Sequence, residues 1–164
     1  AFDEQSPPPL NGFYDPAGAE QRTALSNKLS EDIRAAIGEP RYADYLRDTS
    51  YEFRQLTKLV RREELPAESA LLAWNLRDTV ARESIRIIDD PTLAAAQKTA
   101  ALQSLAQSTR AQFNVTLGGT AGRIYAAVAD NWLSGLAHGN AVSFVNGQTV
   151  FRGPPRPPAS SSPR

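Results

Sequence analysis

The chain contains no cysteine and no methionine, has one histidine, and carries no surplus of either charge, with Lys+Arg and Asp+Glu at 18 each in 164 residues. Without cysteine there is no disulfide, no cysteine-ligated zinc, no iron–sulfur cluster and no thiol nucleophile, and the redox compartment stays open. Charge balance removes any overall field that would draw the chain to nucleic acid or to an acidic substrate. No apolar run approaches the roughly 18–20 residues that cross a bilayer, so no transmembrane segment is expected. No HExxH, CxxC or EF-hand spacing occurs, so neither a metal nor a cofactor is called for. The histidine, His138, sits in the glycine-flanked turn Ala137-His138-Gly139 with no serine or aspartate motif beside it, which reads as a surface residue and not as part of a triad.

What is present is helix punctuation. Asp90 to Gly118 combines an Asp suited to capping, a Pro at the first helical position, an apolar stripe of Leu102, Leu105, Ala106, Thr109, Phe113 and Leu117, and a closing Gly118-Gly119. Asp15 to Gly38 follows the same plan, with Leu25, Leu29, Ile33, Ala36 and Ile37 at spacings of three and four. A second helix is expected from Pro40 to about Arg61, with Tyr42, Tyr45, Leu46, Thr49, Phe53, Leu56 and Val60 inward and mixed charges, Glu52 among them, outward. A third runs from Pro66 to Ile88 with an apolar arc wide enough to touch partners on two sides. A fifth is capped by Thr120 and aligns Ile124, Val128, Trp132 and Leu136 on one face.

Beyond Leu136 the pattern changes. Asn146-Gly147 between two β-prone runs, Val142 to Val145 and Gln148 to Phe151, signals a hairpin, which must dock on helices or on a partner to be stable. The final GPPRPPASSSPR is Pro/Ser-rich and basic. The expected architecture is therefore all-α, an antiparallel bundle of about five helices over residues 15–137, with an extended lead over 1–14 and a turn, small hairpin and tail over 138–164.

The two DP-opened stretches overlay. Asp15-Pro16 matches Asp90-Pro91, Gln21-Arg22-Thr23-Ala24 matches Gln97-Lys98-Thr99-Ala100, and Gly38 matches Gly118, with slips of a few residues, which reads either as an internal repeat or as convergence on helix punctuation. At Leu93-Ala94-Ala95-Ala96-Gln97 and Ala17-Gly18-Ala19-Glu20-Gln21 the chain resembles the LTxxQ pattern of small bacterial periplasmic helical proteins of the stress-chaperone and metal-resistance-associated group. That resemblance covers the openings of two helices, and both copies lack the threonine of the pattern. It implies helical hairpins, often dimeric, that hold unfolded clients or sense envelope stress. Together with the opening AFDEQ, which suits a processed export product, it leads to the expectation of a periplasmic or otherwise exported protein.

The adjacent acids Asp89-Asp90 and Glu63-Glu64 lie at predicted helix ends, where capping is their natural use. Gly118-Gly119-Thr120-Ala121-Gly122 precedes a helix but lacks the Lys-Ser/Thr of a phosphate-binding loop. Arg47, Arg54, Lys58, Arg61 and Arg62 could meet an anionic polymer, although the acids between them argue against it, and no nucleic-acid partner is expected. Trp74, Trp132, Phe53, Phe113, Tyr42 and Tyr125 read as core or, alternatively, as the lining of an interior pocket. The expectation for function is a non-enzymatic interaction module, an accessory subunit or chaperone-like bundle, that binds a protein partner or a second copy of itself. Leu71, Trp74, Ile85, Ile88, Trp132 and Leu136 are its candidate contact residues. The tail segment Pro154, Pro155, Arg156, Pro157 and Pro158 reads as a plain spacer or as a polyproline II segment that docks in an aromatic groove. The alternative is a small-ligand-binding or enzymatic bundle with an aromatic-lined pocket.

Overall fold

Seven helices and one hairpin make up residues 16–154, the part of the chain that the computed structural model describes. They are α1 (Pro16–Ile37), α2 (Glu39–Thr49), α3 (Tyr51–Arg62), α4 (Glu68–Asp89), α5 (Ala95–Leu117), α6 (Gly119–Val128), α7 (Asp130–Ala137), β1 (Ala141–Val145) and β2 (Gln148–Arg152). The fold is all-α with a small terminal hairpin, as the periodicity predicts. The expected lead over 1–14 and tail residues 155–158 lie outside the described residues. Two compact units divide the chain after Arg47.

In the first unit α1 ends at Gly38, whose φ of 80° is a left-handed conformation that glycine adopts without penalty. Its N–H donates to the Arg34 carbonyl and its carbonyl accepts from Tyr42 N–H, so one residue closes α1 and opens α2. Arg34 pairs with Glu39 at 3.4 Å and lies over the Tyr42 ring, bracing this joint. The α1 stripe is shallowly buried, with Leu25, Ile33 and Ile37 half-buried and Leu29 exposed.

The second unit holds the core. Leu56, Leu102, Phe113, Tyr125, Trp132, Leu133, Leu136 and Val142 are fully buried. The wide arc of α4 is explained by its neighbours, since it packs on α3, α5 and β1. The hairpin turns at Asn146 and Gly147, with φ of 50° and 77°, the pair of positive values that matches strand twist. It pairs Val145 with Gln148 through to Ala141 with Arg152. It docks on the helices, because Ser84 of α4 accepts from Val142 N–H at 2.9 Å and its hydroxyl lies 3.0 Å from the Val142 carbonyl. Arg152 pairs with Asp89 at the far end.

Four helix boundaries differ from expectation. The expected second helix is two, because Ser50 interrupts it and accepts a capping bond from Phe53 N–H at 3.4 Å. The expected fifth helix also divides, at Ala129, and the two halves turn different faces inward. Trp132 and Leu136 are buried with Tyr125 and Ala121, whereas Ile124 and Val128 are exposed. Asp90-Pro91 does not open α5. Asp90 instead accepts from the N–H and hydroxyl of Thr92 in a local turn, and α5 starts four residues after Pro91, where Gln97 accepts from Ala94 N–H at 2.8 Å. Thr120 does not cap α6, whose first residue is already Gly119. Lys98 replaces a conventional cap at the end of α4, its buried stem carrying the ammonium to the Ile88 carbonyl at 2.7 Å.

Candidate functional site

Glu52, in the first turn of α3, gathers side chains from three other helices. One carboxylate oxygen accepts from Tyr125 O–H at 2.7 Å and from Trp132 Nε1–H at 3.1 Å. The other lies 3.3 Å from Nε of Arg77 on α4, close enough for an ion pair but off the hydrogen-bonding direction, so Arg77 Nε has no hydrogen-bond partner. Arg77 is only 5% exposed. Its guanidinium is held between two rings, 4.1 Å from the centre of Trp74 and 3.3 Å from that of Phe144. Burial lowers the Arg77 pKa against the pull of Glu52 and Asp78, yet a guanidinium keeps its proton in a protein. Burial, then the Glu52 charge and hydrogen bond, push the Tyr125 hydroxyl well above its ordinary value, so it is a donor at any physiological pH.

The aromatic residues considered for a pocket lining pack against one another. Phe113 meets Tyr125 and Trp132 edge-on at 4.7 and 6.1 Å, and Trp132 meets Phe144 at 6.0 Å. The buried Thr109 hydroxyl bonds to the Leu105 carbonyl of its own helix at 2.7 Å. These rings and hydroxyls are spent on structure.

Open space lies along α4 instead. A cleft of about 450 Å³ runs between α4 and β1, with Ala81, Ile85 and Phe144 as apolar lining and Asp78, Arg82 and Ser143 as polar lining. A second, of about 410 Å³, lies between α4 and α5, where Leu76, Val80 and Leu105 are flanked by Arg82, Glu83 and Arg86. Arg82 belongs to both, so one helix separates two open clefts. Arg86 and Glu83 bond to each other at 2.6 Å, leaving the rim nearly neutral there. Phe144 lines the first cleft and also lies over the Arg77 guanidinium, so one ring borders both the cleft and the buried ion pair.

Asp78 on this rim has its pKa raised, because burial outweighs the favourable charges of Arg77 and Arg82. Just above the ordinary value of 3.8 the folded chain therefore keeps a proton that the unfolded chain has released. Stability then falls as pH rises through that window. Asp78→Asn should remove this component, so that the wild type gains on the variant as pH falls through the window in urea titrations. A constant difference would contradict it.

Of the candidate contact residues, Trp74, Ile88, Trp132 and Leu136 lie in the core, Ile85 lines the α4–β1 cleft, and Leu71 is 42% exposed on α4 beside Leu72 at 56%. Pro154 is half-buried, and Pro155, Arg156, Pro157 and Pro158 are outside the described residues. His138 is exposed, with Nδ1 2.7 Å from the Ser134 carbonyl. That contact requires a proton on Nδ1, so this nitrogen is not a base for the Ser134 hydroxyl 3.4 Å away. The cations of the helix-two region are partly compensated, Arg47 by Asp44 and Arg62 by Glu63. Among the described residues no group of three or more His, Asp or Glu is placed to hold a metal ion, and no helix is long and apolar enough to cross a membrane.

Sequence reasoning missed Glu52 and Arg77. Glu52 precedes Leu56 by four and Leu59 by seven, and Arg77 stands four from Ala73 and Ala81 and two turns before Ser84, so both fall on apolar stripes. Opposite charges on two inward faces were the available signal. No family model, no curated protein and no solved structure matches the chain.

Proposed function

We propose that the chain is a non-enzymatic protein-interaction module that receives an amphipathic segment of a partner along the outer face of α4. The supporting observation is the pair of open clefts that share Arg82, each with an apolar floor and a charged rim. Binding surfaces for protein segments combine these two features, the floor supplying affinity and the rim orientation. Both signs of charge line the clefts, so the segment that fits carries an apolar anchor flanked by mixed charges, not a polyanion. The interior aromatics support a small-ligand reading less well, because their rings fill one another's space and Glu52 occupies the polar ends of Tyr125 and Trp132.

Ile85 is the candidate contact residue that lines one of these clefts. Ile85→Glu would place a charge on the apolar floor at a side chain that is half-buried against the edge of the core. Capture of proteins from native extract with the tagged full chain should retain a partner whose yield falls about tenfold or more with this variant, an effect of about 1.4 kcal/mol. Circular dichroism of the two chains should coincide. An identical retained set for wild type and Ile85→Glu overturns the reading.

A further inference from the structure

We propose that the chain forms a symmetric dimer by pairing the outer edge of β2 with β2 of a second copy. The surface differs from the α4 clefts, so the two proposals fail separately.

The argument starts from Ser84. Its hydroxyl meets both the N–H and the carbonyl of Val142, so these groups point away from β2. In an antiparallel ladder such outward pairs alternate with inward ones. Val142 faces Phe151 and Phe144 faces Thr149, so the N–H and carbonyl of Thr149 and Phe151 point out from the other edge of the hairpin. Among the described residues no partner meets these groups. They are the backbone groups that another strand completes.

The chemistry of the edge selects the occupant. Edge strands that avoid pairing carry lysine, proline or an inward charge, and Gln148-Thr149-Val150-Phe151-Arg152 has none of these in its middle. Its one charge, Arg152, is held by Asp89. A two-fold axis through Val150 sets Thr149 of each copy opposite Phe151 of the other, so all the outward groups pair together. The same register sets Arg152 opposite Gln148 and keeps the two arginines apart, whereas shifting the strands to bring Arg152 against Arg152 would oppose like charges. Val150, 46% exposed, meets its own copy across the axis. The continuation of this chain is a poor occupant, because in Pro154-Pro155-Arg156-Pro157-Pro158 only Arg156 has a backbone N–H to donate. A self-complementary strand pairs isologously and closes at two copies.

The absence of cysteine makes the test direct. Val150→Cys in the full chain should form a disulfide-linked dimer under mild oxidation, because the axis brings the two side chains face to face, while Val115→Cys, on an α5 position 86% exposed, should not. In sedimentation equilibrium the wild type should weigh twice 17.8 kDa. Val150→Lys, which keeps the backbone bonds to Ser143, and Thr149→Pro, which removes only an outward N–H, should each return it to the monomer with unchanged circular dichroism. A wild type that is monomeric at every concentration, a dimer that survives both edge variants, or equal cross-linking at positions 150 and 115 overturns the proposal.

Discussion

Glu52→Leu is expected to destabilise the chain by about 3–5 kcal/mol in equilibrium urea unfolding, the range for removing one partner of a buried ion pair. Glu52 is 17% exposed at its side chain and Arg77 6%, so solvent screens the pair little. Without Glu52 the guanidinium keeps, among the described residues, Asp78 as its one ion-pair partner, at 3.6 Å and with a side chain 46% exposed, and the Tyr125 hydroxyl and Trp132 indole lose their common acceptor. Each orphaned donor costs about 1–3 kcal/mol by itself, but these losses overlap and do not sum. Glu52→Gln separates the parts. Its amide oxygen still accepts from Tyr125 and Trp132 while the charge opposite Arg77 is gone, and a loss of about 2 kcal/mol is expected. Adding Arg77→Met to Glu52→Leu should recover most of the stability, since the buried charge leaves with its partner. A change of less than about 1 kcal/mol for Glu52→Leu would show that the cluster does not hold the helices together.

Gly122→Val is expected to cost about 3 kcal/mol or more. A β-carbon at this position would lie 2.5 Å from Cα of Asn114, and the obstacle is backbone, which has no rotamer to yield. Gly118, the one residue between α5 and α6, lets α6 fold straight back, and four residues later Gly122 lets the two helices touch. Gly119→Ala is the matched control. Its β-carbon would meet nothing nearer than Arg123 Nη1 at 3.7 Å, so it should unfold within about 1 kcal/mol of the wild type. Equal effects at the two glycines would contradict this close approach.

The joints were the most legible part of the chain. Gly38 and Gly118 end helices as their position after an apolar stripe predicts, and Asn146-Gly147 turns a hairpin. Breaks made by other means escaped notice. Ser50 caps α3 inside a continuous amphipathic pattern, and Ala129 divides α6 from α7 with no special residue, the break letting Ala121 and Tyr125 on one side and Trp132 and Leu136 on the other enter the same core. Asp90-Pro91 shows the converse: a good capping dipeptide loses the helix start to a local turn with Thr92 when Gln97 can cap further on. The contact residues divided along the same line. Trp132, Leu136, Trp74 and Ile88 carry the apolar signal that marks both a core and an interface, and only packing separates the two uses.

Composition and punctuation alone determined that this chain is helical with a terminal hairpin, and excluded thiol chemistry, because those properties depend on residue types and on spacings of a few positions. Tertiary structure alone decided that Glu52 and Arg77 meet inside, that β1 is anchored by Ser84 while no described residue pairs with the far edge of β2, and that α4 has clefts on both sides. Each of those depends on residues tens of positions apart arriving at one place, and periodicity, which records only the direction a side chain faces, says nothing of what it will meet.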